Sequence, residues 1–212
     1  MNAGPGQLIA LEGPDGGGKT TQAARLVQWL GSVGREVLAC REPGGTALGE
    51  HLRSVLKDRS DLAIGMAAEM LLFMASRAQL IEEVVRPAMD RGTVVVADRF
   101  LLSNVVYQGI AGGLDPADIW RVGQAATGGL MPDLTIILDV PVDVALGRVG
   151  PGRDRIEDRG VAYRQRVRSG FLESVSEYSG PVVVVDGSLG PDEVTQTIQT
   201  EVARALALPA RP

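Results

Sequence analysis

Between an apolar run, Leu8–Leu11, and a helical pattern opening at Thr20 lies Gly13-Pro14-Asp15-Gly16-Gly17-Gly18-Lys19-Thr20, which fits GxxxxGK(S/T). The fit commits the chain to a strand, a tight loop and a helix in immediate succession. Its glycines permit backbone turns that a Cβ would forbid. Successive N–H groups then turn inward around phosphate oxygens, and the helix N-terminus adds the positive end of its dipole at the same point. Lys19 can reach the β- and γ-phosphates, and the Thr20 hydroxyl is placed to ligate Mg²⁺. Gly13, Pro14, Asp15, Gly16, Gly17, Gly18, Lys19, Thr20 and Thr21 are therefore the candidate ATP-binding residues. A glycine-rich turn with a chance lysine is the bland alternative, and the shared register of strand, loop and helix stands against it. Only two of the 21 basic residues, Lys19 and Lys57, are lysines, and one of them sits in this loop.

Four further apolar runs, Val37–Cys40, Val94–Ala97, Leu134–Leu138 and Val182–Val185, are short and rich in branched residues. They do not alternate with polar residues, as expected for strands covered on both faces. Helical patterns separate them: Thr20–Val33, Thr46–Lys57, Ile64–Met89, Pro116–Thr127, Val142–Val149, Asp158–Tyr178 and Pro191–Leu206. Strand alternating with helix predicts an α/β fold, a five-stranded parallel doubly wound sheet flanked by helices. Within the long third helix, Met66, Met70, Phe73, Met74, Ile81 and Val84 recur at helical spacing, mostly as a core stripe, and Pro87 is expected to kink or end it. The stretch Gly147–Gly152 is the candidate hinge or lid.

Composition removes several function classes. The 212 residues, 45% apolar, suffice for one domain, residues 1–212, with a lid at about 147–160. A net charge of -5 argues against nucleic acid or an anionic membrane as main partner. Neither a signal-peptide pattern nor a membrane-spanning apolar run is evident, so a cytoplasmic protein is expected. A lone Cys40 excludes an internal disulfide and reads as a small buried side chain. The single histidine, His51, needs no role, since phosphoryl transfer depends on positioning and charge neutralisation.

Three more segments narrow the chemistry: Arg41-Glu42-Pro43-Gly44-Gly45-Thr46, Asp98-Arg99-Phe100, and a loop carrying Arg148, Arg153 and Arg155. With the phosphate loop they resemble bacterial thymidylate kinases. That family carries an REPGGT segment, a DR(Y/F) segment followed by Ser, Tyr and Gln, and an arginine-bearing lid with DR(I/F)E. Matching residues here are Ser103, Asn104, Tyr107 and Gln108, then Asp154-Arg155-Ile156-Glu157. The resemblance runs from about Leu8 to Asp186.

Some residues also speak for themselves. Asp98, ending an apolar strand near the phosphate loop, is a candidate Mg²⁺ or metal-water ligand, with a turn or cap residue as the alternative. Arg99 offers a planar fork able to bridge two anions, unless it serves a structural salt bridge. Phe73 and Arg77, four apart, share a helix face; on their own they read as a core ring and a solvated ion pair. The resemblance implies that they hold thymine, Arg77 on the O4 side. Asn104 carries an amide able to pair with the N3 edge, a contact that many members of the family make with a different polar residue. The resemblance further implies that Tyr107 packs against C2′ of the deoxyribose and that Asp15 lies near the 3′-hydroxyl and acceptor phosphate, with a helix-surface tyrosine and a turn residue as the plain alternatives. Pro43, Ser103 and Gln108 complete the implied acceptor site, and Leu52 either lines the base pocket or packs in the core.

The phosphate loop has no arginine between Pro14 and Gly17, so the resemblance points to delivery of that charge from the lid. Arg153 ranks first, with Arg148 and Arg155 behind it. Arg159, Arg164, Arg166 and Arg168 read as a solvated helical face, and Asp186-Gly187-Ser188 is expected to border adenine through backbone groups. The expected reaction is ATP-Mg²⁺-dependent conversion of dTMP to dTDP by a homodimer. The rivals are another nucleoside monophosphate kinase or a nucleotide-switched ATPase.

Overall fold

The computed structural model describes residues 6–57, 62–149, 156 and 159–208. Five strands, β1 (Gln7–Glu12), β2 (Val37–Arg41), β3 (Val94–Asp98), β4 (Leu134–Asp139) and β5 (Val182–Asp186), form one sheet in the order β2-β3-β1-β4-β5. All pairings are parallel. The helices are α1 (Lys19–Ser32), α2 (Ala47–Lys57), α3 (Met66–Leu80), α4 (Arg86–Asp90), α5 (Leu101–Asn104), α6 (Pro116–Thr127), α7 (Val142–Arg148), α8 (Val161–Ser174) and α9 (Pro191–Ala205). The expected doubly wound sheet is present.

The strands are apolar throughout because both faces are covered. Leu8 and Ala10 of β1 pack in one core with residues of α3, α5, α6 and α8, whereas Ile9 and Leu11 pack in another with α1 and α9. Register brings Leu11 beside Asp98 and Asp98 beside Arg41. The carboxyl ends of β1, β2 and β3 therefore converge on one edge, where a doubly wound sheet builds its ligand crevice.

Backbone hydrogen bonding departs from a regular α-helix in two places. The third helix does not end at Pro87; a π-helical segment, Ile81–Val85, precedes it and leads directly into α4. A widened turn relieves the clash of a proline ring with the preceding turn. Residues after Phe100, for which no helix was expected, form α5 and a second π segment, Val105–Ile110. Every residue from Leu101 to Gly109 is buried, so no amphipathic stripe announces the helix. The Met-rich stripe of α3 turns inward, with Met70 and Met74 in the core.

Candidate active site

Gly13, Gly16 and Gly18 have φ of 127°, 80° and 88°, in the region that favours glycine. A Cβ at Gly16 would stand 2.3 Å from Ala145 O, and one at Gly13 would stand 2.5 Å from Leu138 O. The loop is thus pressed against β4 and α7 as well as wound tightly. No side chain caps α1 at Gly18, so its first N–H groups are open to a phosphate. Lys19 Nζ donates to Gly13 O at 3.0 Å and Pro14 O at 2.7 Å. Burial draws the ammonium down to about 8, with Arg99 adding to the depression and Asp15, Asp98 and Glu12 opposing it. An open groove along the loop is lined by Lys19, Thr20, Thr21, Asp98, Arg99 and Arg148.

Thr20 Oγ1 donates to Asp98 Oδ2 at 2.6 Å, so the two metal candidates are adjacent. Among the described residues no cluster of three or more His, Cys, Asp or Glu side chains could hold a metal unaided. A hydroxyl and a carboxylate fit a hard cation that keeps water and takes phosphate oxygens as its remaining ligands.

Arg99 joins the two halves of the site. Its Nη1 donates to Gly13 O and Ser103 Oγ, each at 3.0 Å. Its Nη2 pairs with Asp15 and donates to Tyr107 Oη at 3.2 Å. The Tyr107 hydroxyl in turn donates to Asp15 Oδ2 at 2.9 Å. Burial pushes the Asp15 carboxyl up, but Arg99 and then Lys19 outweigh it and hold it below the usual range. Arg99 has φ 76°, a strained conformation for a residue with a side chain, and such strain gathers at functional sites.

Beneath this group lies Glu12, a residue passed over in the sequence although it ends an apolar strand next to the loop. Fully buried, it accepts from Phe100 N at 2.9 Å and Ser103 N at 3.1 Å, and from Ser103 Oγ. It thereby caps the start of α5 from a neighbouring strand. Burial raises its pKa to about 7, against the pull of Ser103, Arg99 and Phe100.

Beyond Arg99 opens a cleft of about 480 Å³, mouth included. Phe73, Arg77, Asn104, Tyr107, Gln108 and Pro43 are among its lining residues. Arg77, 1% exposed in its side chain, forms a buried ion pair with Glu42 and lies over the Phe100 ring at 5.4 Å. The ion pair foreseen for Arg77 therefore exists, but it is desolvated and borders the cleft. The Tyr107 ring meets those of Phe171 and Tyr163 at 6.1 and 6.4 Å. Thr46 Oγ1 caps α2 by accepting from Gly49 N at 2.9 Å, and Gly44 N donates to Ser76 Oγ at 3.1 Å; together these hold the Glu42–Thr46 loop against α3.

Several expectations are corrected. Leu52 is half-buried on α2 and is not among the residues lining the cleft. Lys57, Glu42 and Ile156 do line it; the scarcity of lysine was the available signal for Lys57. The arginines after the lid do not form a solvated face. Arg159 pairs with Glu69, Arg164 is buried, and Arg168 grips Asp139 through two bonds of 2.7 and 2.8 Å; only Arg166 is exposed. Arg159 and Arg168 are drawn inward by partners distant in sequence. Arg148 donates to Gly187 O at 2.7 Å, touching the loop expected near adenine. Arg153 and Arg155 lie outside the described residues. His51 is exposed, its ring bonded to Ala47 O at 2.8 Å, and Cys40 is half-buried on β2.

Comparison with known proteins gives a consistent result. A family model described as thymidylate kinase matches residues 11–198. A thymidylate kinase of Rhodopirellula baltica is 46% identical over 194 residues, covering 92% of this chain and 79% of the relative. That of Trichlorobacter lovleyi is 40% identical over 210 residues, covering 95% and 99%. That of Desulforudis audaxviator is 47% identical over 183 residues, covering 85% and 83%.

Proposed function

The chain belongs to the thymidylate kinase family, and on that footing we propose that it transfers the γ-phosphoryl group of ATP directly onto dTMP, yielding dTDP for dTTP synthesis. The observation that carries the reading is Arg99, bonded through one nitrogen to the phosphate loop at Gly13 O and through the other to Asp15 and Tyr107 of the cleft. A guanidinium there offsets repulsion between donor and acceptor phosphates as they approach in line. Lys19 stabilises charge developing on the transferred group, aided by the N–H groups that open α1. No covalent enzyme intermediate is required.

Thr20 and Asp98 would hold the divalent metal, which we take to be Mg²⁺. Bound with ATP, it would neutralise phosphate charge. On the acceptor side, Phe73 stacks on thymine, Arg77 donates to O4, Asn104 meets the N3 edge, and Tyr107 walls off C2′. A ribose 2′-hydroxyl against that buried ring would lose its hydrogen bonds. Pro43, Ser103 and Gln108 shape the same cleft. Residues 1–212 act as one kinase domain, with 147–160 as its lid and Arg153, Arg148 and Arg155 bringing charge to ATP.

Exposed Leu48, Val55 and Leu71 on α2 and α3 support a homodimer packed through these helices. No helix among the described residues is long and apolar enough to cross a membrane; we place the enzyme in the cytoplasm as part of the same proposal. The test is ADP release measured with ATP, Mg²⁺ and each monophosphate in turn. Fastest turnover with dTMP and near silence without acceptor are expected. Greater turnover with dCMP, UMP or dGMP would overturn the substrate, and acceptor-independent hydrolysis would point to a nucleotide switch instead.

A further inference from the structure

Glu69 lies on α3 with 0% exposure. Its Oε2 pairs with Arg159 Nη2, and its Oε1 accepts from Gln108 Nε2 at 2.9 Å. The remaining amide atom of Gln108, Oε1, accepts from Asn104 Nδ2 at 2.9 Å. What is left is Asn104 Oδ1, buried and without a hydrogen-bond partner among the described residues. It belongs to a residue 2% exposed that lines the base cleft.

An isolated amide can present either its oxygen or its NH₂ group. This pair has no such freedom. A carboxylate engaged with a guanidinium accepts and cannot donate, so Gln108 must turn its NH₂ toward Glu69. Gln108 then shows its oxygen to Asn104, Asn104 must direct its own NH₂ there, and an acceptor is left for the cleft.

We propose that Glu69 is a positioning residue that fixes the polarity of the Asn104 amide through Gln108, making the cleft selective for pyrimidines that carry hydrogen on N3. Thymine and uracil have that hydrogen; cytosine has a lone pair in its place. An N3–H satisfies the buried orphan oxygen, whereas a lone pair leaves two acceptors facing each other away from water. The inference rests on the thymidylate reading and specifies how its cleft rejects cytosine.

Glu69→Gln tests it with almost no change of shape. Arg159 has only donors, so the new amide must give it the oxygen and turn NH₂ toward Gln108. Gln108 and Asn104 then reverse in sequence, and the cleft receives a donor instead of an acceptor. The ratio of kcat/KM for dTMP to that for dCMP should fall about tenfold or more, through a higher KM for dTMP and a lower one for dCMP. Arg77 still opposes the cytosine amino group, so dTMP need not be overtaken. A variant that loses activity on both acceptors equally, with the ratio unchanged, overturns the proposal, since that is what a merely structural carboxylate would do. If thermal melts show that this variant is unfolded, Gln108→Leu cuts the same relay; it should narrow the ratio partway, and an unchanged ratio again overturns the proposal. A wild-type enzyme that prefers dCMP would sink the functional reading itself, whereas a wild-type preference for dTMP that neither variant narrows would sink only the relay.

Discussion

ATP binding should weaken in alkali because of one buried ammonium. Lys19 is packed under the phosphate loop, and burial, with Arg99 adding to it, lowers its pKa from 10.5 to about 8. Phosphate oxygens of ATP favour the charged form, returning the group toward its ordinary value of about 10.4. The sign follows from which state holds the proton: the complex keeps it where the free protein has lost it. Affinity should therefore be level below the free-protein value and then fall by about one decade per pH unit. Between about pH 7 and about pH 9 the loss is about tenfold, or about 1.4 kcal/mol. Titration calorimetry in two buffers of different ionisation enthalpy reads both quantities, and near about pH 8 roughly half a proton should be taken up per ATP bound. Lys19→Arg, whose guanidinium stays protonated throughout, should bind ATP with a level profile. A level wild-type profile without proton uptake, or the same decline in the arginine variant, would refute the reasoning.

Other consequences are simpler to read. Lys19→Ala should lower kcat about 100- to 1000-fold while leaving circular dichroism and the melting temperature near wild type; near-normal turnover would remove Lys19 from the chemistry. Tyr107→Ala should narrow the preference for deoxyribo- over ribonucleotide acceptors, because the ring that closes off C2′ is gone, and an unaltered ratio would argue against that role. Glu42→Ala leaves the Arg77 cation buried without its counter-charge, at a cost of about 3–5 kcal/mol. Urea melts should show it, and a loss below about 1 kcal/mol would mean the ion pair is not the support it looks like.

The parts of the site that were legible in sequence are those whose geometry is local. Gly13, Gly16 and Gly18 adopt positive φ within one short loop, and Lys19 and Thr20 open the helix that follows it. The strand runs were readable for a related reason: a strand covered on both faces has no polar side to interrupt it. Phe73, Arg77 and Tyr107, which line the cleft, were singled out only through family resemblance. Taken singly, a half-buried phenylalanine or a helical arginine reads equally well as core or surface.

Helix faces were settled by the three-dimensional arrangement. Sequence places Arg159, Arg164 and Arg168 in or near a polar helical stretch, but distant Glu69 and Asp139 draw Arg159 and Arg168 inward. The segment from Leu101 to Gly109 is buried on all sides, and burial all round erases the periodicity by which a helix is recognised. Local sequence determined the phosphate loop and the layered α/β order, since backbone sterics and strand burial act over a few residues. Tertiary structure alone decided that Glu12 caps α5, that Arg99 bonds both Gly13 of the phosphate loop and Tyr107 of the cleft, and that Glu69 and Asn104 meet through Gln108. Each of those contacts joins atoms on different strands or helices, and whether a carboxylate is solvated or paired depends on what the rest of the fold brings against it.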